Sequence, residues 1–176
     1  KQYIMRIPGE GTDELVNREN EYLVYQLLKG RKISDQVVYI SPDTGYKISE
    51  FIEGTRSCDP HNKNDVLVCM QKLRKFHDYK LEVDHVFDPF SEIEHYEQLR
   101  GDAPSKYADY AETKKNIESL KPIVDALPKE WVLSHCDSVP GNFLLTEDEV
   151  YLIDWEYAGM QDSHIDLAMF SLSAMY

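Results

Sequence analysis

His135-Cys136-Asp137-Ser138-Val139-Pro140-Gly141-Asn142, followed after a short gap by Ile153-Asp154-Trp155-Glu156, is the stretch of this chain whose reading decides its fold. The pattern is H-x-D-x-x-x-x-N, then an apolar segment that ends in Asp. Pro140 and Gly141 mark a loop. Trp131-Val132-Leu133-Ser134 reads as the strand leading into it, and Phe143-Leu144-Leu145 with Val150-Tyr151-Leu152-Ile153 as a hairpin after it, turning at Glu147-Asp148. The residue types suit a definite chemistry. An amide oxygen and a carboxylate are hard donors of the kind that hold Mg²⁺, and a further carboxylate can orient a hydroxyl and accept its proton. The plain alternative is a capped turn, built from Asp137, Pro140 and Gly141, that leads into an ordinary hairpin. An Asp and an Asn at this separation arise often by chance, so the whole constellation carries the weight.

That constellation is similar to the one with which kinase-like phosphotransferases surround a single phosphate. The resemblance makes Asp137 the catalytic carboxylate, gives Asn142 and Asp154 to Mg²⁺, and implies ATP as the phosphate donor. A protein kinase would carry Arg before the catalytic Asp, D-F-G at the metal Asp and a long activation segment. Here Cys136 replaces the Arg, Trp155-Glu156 follows Asp154, and the next helix is expected near Ser163, which leaves no room for such a segment. The chain instead resembles small-molecule kinases of the choline kinase and aminoglycoside phosphotransferase superfamily. Ile153-Asp154-Trp155-Glu156-Tyr157-Ala158-Gly159-Met160, with Asp166-Leu167-Ala168 downstream, is most similar to the bacterial choline kinases.

The resemblance implies an α+β, protein-kinase-like two-lobed fold. It gives Asp166 and His135 supporting roles around the catalytic loop. Arg6 occupies the strand position whose basic side chain touches nucleotide phosphates, and Glu21, with Glu19 as the neighbouring alternative, matches the helix carboxylate that holds it. Glu50-Phe51-Ile52-Glu53-Gly54 resembles the hinge between the lobes, where the backbone of Glu50, Phe51 and Ile52 would bind the adenine edge. The implied reaction converts choline to phosphocholine. A quaternary ammonium needs aromatic faces helped by carboxylates, and Trp155, Glu156 and Tyr157 are the cluster beside the metal Asp. Adjacent residues of an extended segment point to opposite sides, so only part of the set can face one ligand. Trp155 can equally be core, and Glu156 can serve a second Mg²⁺. Ethanolamine, thiamine and aminoglycosides are alternative substrates, and a non-catalytic kinase-like binding protein is an alternative of another class. Intact Asp137, Asn142 and Asp154 speak against that last reading.

Composition narrows the field. Hydrophobic residues make up 42% and aromatics 11% of 176 residues, which suits a globular protein but is short for a complete two-lobed kinase. No apolar run approaches the roughly 20 residues that span a bilayer, and no signal-peptide pattern opens the chain. Cys58, Cys69 and Cys136 are odd in number and unpaired in spacing, so the expectation is neither disulfide nor zinc, and a cytoplasmic location. His61, His85 and His95 lack partners at metal-ligand spacing. The net charge of -13 argues against nucleic acid as a partner and agrees with a cationic one, although acidic proteins are common. The oligomeric state is left open.

Along the chain, the pattern predicts a strand at 2–7, a helix from Thr12 or Asp13 to about Leu28 with Val16, Leu23 and Leu27 on its apolar face, and strands at 36–41 and 45–52. Asp59-Pro60 is expected to open a helix bearing Val66, Met70, Leu73 and a packed, non-ligating His77. Asp88-Pro89-Phe90 opens another, through about Leu99, and further helices follow from Pro104 and from Pro122. Residues 1–50 thus read as a partial N-terminal lobe, 51–54 as the hinge and 55–176 as a helical C-terminal lobe. The Gly-rich hairpin that covers phosphates in the family is absent, as are the family's last helices. The chain therefore reads as incomplete at both ends, with little activity and a tendency to self-associate expected of the segment alone.

Overall fold

Tyr3–Arg6 (β1), Val37–Ile40 (β2) and Lys47–Glu50 (β3) form an antiparallel sheet in the order β1-β3-β2, with Arg6 opposite Lys47 and Tyr3 opposite Glu50. The computed structural model describes residues 1–175. The tight connection from β2 to β3 is closed by Gly45 N–H on the Ser41 carbonyl at 2.9 Å. Gly45 has φ +67°, and a Cβ there would lie 2.7 Å from Pro8 Cγ and 2.8 Å from Arg18 Nε. Only glycine fits that backbone and that space.

The single helix expected from Thr12 or Asp13 is in fact two pieces. Thr12–Glu14 forms one 3-10 turn, and the α-helix begins afresh at Arg18–Leu28 (α1). Asn17 is the reason. Its side chain accepts from the N–H groups of Glu19 and Asn20, satisfying two donors that a continuous helix would have bonded elsewhere. The later start changes the buried face, which consists of Glu21, Val24, Tyr25 and Leu28, while Leu23 is 48% exposed.

Arg56–Ser57 (β4) pairs with Phe143–Leu145 (β6), which pairs in turn with Val150–Leu152 (β7); Trp131–Ser134 (β5) pairs antiparallel with Gly159–Asp162 (β8). Lys63–His77 (α2) and His164–Ser173 (α6) complete this part of the chain. Asp59-Pro60 does not open α2. Asn62 caps it instead, accepting from Asn64 and Asp65, and Asp59 forms the preceding turn. The core joins Leu28, Phe76, Leu133, Phe143, Leu152 and Trp155, all at most 1% exposed. These elements, residues 1–87 and the chain from Trp131 onward, make one compact unit.

Residues 88–130 make the other, from Pro89–Arg100 (α3), Tyr110–Glu118 (α4) and Lys121–Ala126 (α5). Asp88 caps α3 with Pro89 in its first turn, as the sequence predicts. No residue of these three helices is buried. Polar contacts link them: Glu97 accepts from Tyr110 Oη at 2.6 Å and from Lys114 Nζ, and Arg100 lies 4.7 Å above the Tyr110 ring.

Asp65, in the first turn of α2, ties that helix to β4 and so to the hairpin after the loop. Both Nη atoms of Arg56 donate to its carboxylate, Nη2 at 2.8 Å, and Asp59 N–H adds a bond of 3.0 Å. The Arg56 hydrogen bonds hold the Asp65 carboxyl down at about 2. A carboxylate depressed on folding stabilises above its unfolded pKa and loses that contribution as pH falls through the folded value. Arg56 is 58% exposed, so solvent screens most of that contribution. Asp65→Asn should therefore lower the melting temperature by a few degrees at neutral pH and by almost nothing near pH 2. Thermal melts across that range check it.

Candidate active site

β5 delivers the chain into the loop 135–142, and α6 fixes its shape. Asp166 on α6 is fully buried; its carboxylate accepts the N–H of His135 at 3.0 Å, the N–H of Cys136 at 2.8 Å and a bond from His77 Nε2 at 2.8 Å. Ser138 Oγ donates to the Asp166 carbonyl at 2.6 Å. Cys136 is held at φ +64°, a left-handed conformation that a non-glycine residue keeps only when its surroundings impose it. His77, expected to be a packed helix-end residue, is thus part of this brace, bonded to a group far away in sequence. Removing the carboxylate would orphan two buried backbone donors. Asp166→Ala is expected to cost about 3 kcal/mol of stability, measured by denaturant unfolding; a loss near zero would show that the loop holds itself.

His135 is fully buried, and its two ring nitrogens have different partners. Nδ1 accepts the Asp137 N–H at 3.2 Å, so Nε2 carries the proton and donates to the Ile153 carbonyl at 2.9 Å. Burial lowers its pKa and keeps the ring neutral. One imidazole therefore joins the loop to the residue before Asp154. A second tie, Ile153 N–H on the Asn142 carbonyl at 2.9 Å, runs parallel to it.

Within the loop, Asn142 Nδ2 donates to the Asp137 carbonyl at 2.8 Å and to Asp137 Oδ2 at 3.0 Å. This leaves the Asn142 amide oxygen as the atom available to a cation. Burial pushes the Asp137 carboxyl above its ordinary pKa, against the opposing hydrogen bond from Asn142. Asp154 also has a left-handed backbone, φ +67°, and its side chain is 42% exposed. An amide oxygen and one accessible carboxylate fit Mg²⁺, which binds through one or two protein ligands and substrate phosphates. Among the described residues no three His, Cys, Asp or Glu side chains gather into a site that could hold a metal.

Arg6, at the end of β1, makes a two-pronged bond to Glu21, at 2.7 and 2.6 Å, and lies 3.5 Å from Asp154 and 3.6 Å from Glu156. The glutamate that bonds Arg6 is Glu21. Burial alone would lower the pKa of Arg6; the bonds and charge of Glu21, with Asp154 and Glu156, more than offset that and hold it raised. Arg18, which sequence reasoning passed over, joins the same network at 3.5 Å from Glu21 and 3.6 Å from Glu156. Its signal was the three-residue spacing to Glu21 on one helix, already present in the helix that the sequence predicts. Glu156 is raised in pKa by burial and by Asp154.

Trp155 is corrected to a core residue. Its ring is 0% exposed, crosses Phe76 and His135 edge to face at 4.8 and 4.5 Å, and bonds the Leu152 carbonyl through Nε1 at 2.8 Å. It has no surface to offer a substrate. Tyr157 keeps some exposed surface. At the hinge-like segment, Glu50 N–H donates to Gln36 and Phe51 N–H to Gln2. A cleft of about 840 Å³ borders Glu50, Phe51 and Ile52 together with Tyr22 and Tyr39, but its lining includes none of Asp137, Asn142 or Asp154.

Residues 1–175 match the family model described as choline/ethanolamine kinase. Protein LicA of Haemophilus influenzae is 26% identical over 175 residues, which are 95% of this chain and 64% of that protein. The crystal structure of choline kinase LicA from Streptococcus pneumoniae superposes with a TM-score of 0.89 at 31% identity, covering 100% of this chain and 63% of that one. A structure of LicA in complex with AMP gives 0.88 at 32%, covering 100% and 62%. The chain spans less than two thirds of the length of each. Among the described residues no helix is long and apolar enough to cross a membrane.

Proposed function

The chain belongs to the choline/ethanolamine kinase family, and we propose that its site transfers the γ-phosphoryl group of ATP to the hydroxyl of a small cationic alcohol, choline in the first place and ethanolamine in the second. The observation that carries this reading is the loop 135–142: a carboxylate of raised pKa, bonded by Asn142, in a backbone clamped by Asp166 and tied through His135 to the strand that bears Asp154.

In this mechanism Asp137 orients the alcohol hydroxyl and takes its proton as the oxygen attacks phosphorus. Its raised pKa brings it nearer to the working pH, which favours proton transfer. Asn142 and Asp154 would hold Mg²⁺, which, when bound, neutralises charge on the phosphate oxygens. Arg6, kept protonated and oriented by Glu21, faces the nucleotide phosphates. Backbone groups of Glu50, at the end of β3, and of Phe51 and Ile52, in the hinge 51–54, take the adenine edge; the N–H groups of Glu50 and Phe51 are already bonded to Gln36 and Gln2, which leaves that role to the other backbone groups of the three. AMP bound to the similar LicA supports a nucleotide here. With Trp155 in the core, Glu156 and Tyr157 are the remaining candidates for the ammonium, and Glu156 is turned to the arginines. A supply of ATP and three cysteines without a disulfide suit the cytoplasm.

The test is a phosphorylation screen of the full-length protein that carries this chain, against choline, ethanolamine, thiamine and an aminoglycoside. Turnover of choline above the others is expected. Nucleotide binding with no turnover of any alcohol would make this a binding protein instead.

A further inference from the structure

Four buried side-chain polar atoms lack a hydrogen-bond partner among the described residues, and three of them are Arg6 Nε, Arg18 Nε and Arg18 Nη1. Leaving a buried donor unpaired costs about 1–3 kcal/mol, so two such arginines side by side require an explanation. Arg18 is not loosely placed. Its side chain is 9% exposed, Nη2 donates to Thr12 Oγ1 at 3.0 Å, and the missing Cβ of Gly45 makes room for Nε. Nη1 stands 3.5 Å from Glu21 Oε2 and 3.6 Å from Glu156 Oε2, close enough for charge attraction and just too far for a hydrogen bond.

The same two carboxylates are engaged by Arg6, which bonds Glu21 fully and attracts Glu156 and Asp154. Glu21, Asp154 and Glu156 therefore share two guanidinium groups, with Asp13 Oδ1 a further 3.9 Å from Arg18 Nε; Arg6 is bonded through both of its Nη atoms, Arg18 through Nη2 alone. An arginine that turns to a phosphate must give up part of its hold on neighbouring carboxylates, and those carboxylates then need another donor. The unbonded Nη1 of Arg18 is in place for Glu156 and Glu21.

We propose that Arg18 is a positioning residue of the nucleotide-phosphate site: it takes over Glu156 and part of Glu21 when Arg6 turns to the phosphates. The inference rests on the phosphotransferase reading above. Without Arg18, Arg6 alone would answer to Glu21, Asp154 and Glu156, and would be held back from an incoming phosphate.

Calorimetric titration of the full-length protein with ADP, free of Mg²⁺, tests this in four variants: Arg18→Ala, Glu156→Gln, the two combined, and Thr12→Val. Arg18→Ala is expected to weaken ADP binding by about tenfold or more, equal to about 1.4 kcal/mol, with the KM for the alcohol unchanged. In the Glu156→Gln background the same change should cost no more than about threefold, because the carboxylate that Arg18 receives is no longer charged. A folded Arg18→Ala protein that binds ADP like wild type overturns the proposal. So does an equal loss in both backgrounds, which would mark a merely structural arginine. If Arg18→Ala does not fold, Thr12→Val removes only the bond that anchors Arg18 and should weaken ADP about threefold; unchanged affinity there also overturns it. Wild-type protein that binds no ADP would sink this inference and the kinase reading together. Binding of ADP without turnover of any alcohol would sink the kinase reading alone.

Discussion

Replacing Asp137 with Asn should lower kcat by about 100-fold or more and leave folding and nucleotide affinity in place, in line with the usual contribution of a general base. The substitution is nearly isosteric. The amide oxygen of the new side chain can still accept from Asn142 Nδ2, and the bond from residue 137 to His135 uses the backbone N–H, so the loop keeps its geometry. What disappears is the ability to accept a proton. The pH dependence makes the test sharper. A base works only when deprotonated, and burial raises the Asp137 pKa, so wild-type kcat should fall on the acid side at a higher pH than an unperturbed Asp would give. The residual activity of the Asn variant should lack that limb. Steady-state kinetics across pH, with ADP titration as the control, reads both. A variant that keeps most of its kcat would remove Asp137 from the role.

Asp154→Ala carries the second large expectation: loss of Mg²⁺-dependent turnover to background, against a raised Mg²⁺ requirement alone for Asn142→Ala. The two residues differ because Asp154 offers a charged carboxylate, 42% exposed, whereas Asn142 contributes one neutral oxygen while its nitrogen is committed to Asp137. Asp154 also lies 3.5 Å from Arg6, so its removal leaves Arg6 more firmly with Glu21. An Asp154→Asn variant separates these effects, because it keeps the shape and loses the charge. Initial rates over a Mg²⁺ series give the answer. An unchanged Mg²⁺ titration in Asp154→Ala would place the metal elsewhere.

The loop 135–142 and the hairpin after it are legible in the sequence because they depend on spacing within one short segment, and Pro140, Gly141 and the apolar runs leave that segment few other shapes. The pairing of Arg6 with Glu21 is legible only through resemblance, since a strand and a helix must first be brought together. For Trp155 the sequence leaves ligand contact and core both open, because the alternation of an extended strand stops at Asp154, whose backbone is left-handed. β8 goes unforeseen because Gly-Met-Gln-Asp has neither alternation nor β-branching; its partner β5 makes it a strand. The two helix starts are misplaced for one reason. Asn17 and Asn62 each cap a helix a few residues after a stronger-looking signal, and the bond that decides between them is made only in the folded chain.

The dependence of the loop on Asp166 reaches beyond catalysis. The amide protons of His135 and Cys136 are bonded to a helix that begins a full hairpin and a strand later, so neither can be retained in any state where α6 has come away. The most deeply placed backbone of the site thus has no stability of its own; it inherits that of the last described helix, and the two form one cooperative unit in local opening. Hydrogen exchange at two amides of the loop would therefore report the undocking of α6, and a protease cut in that helix would free the loop without touching Asp137, Asn142 or Asp154.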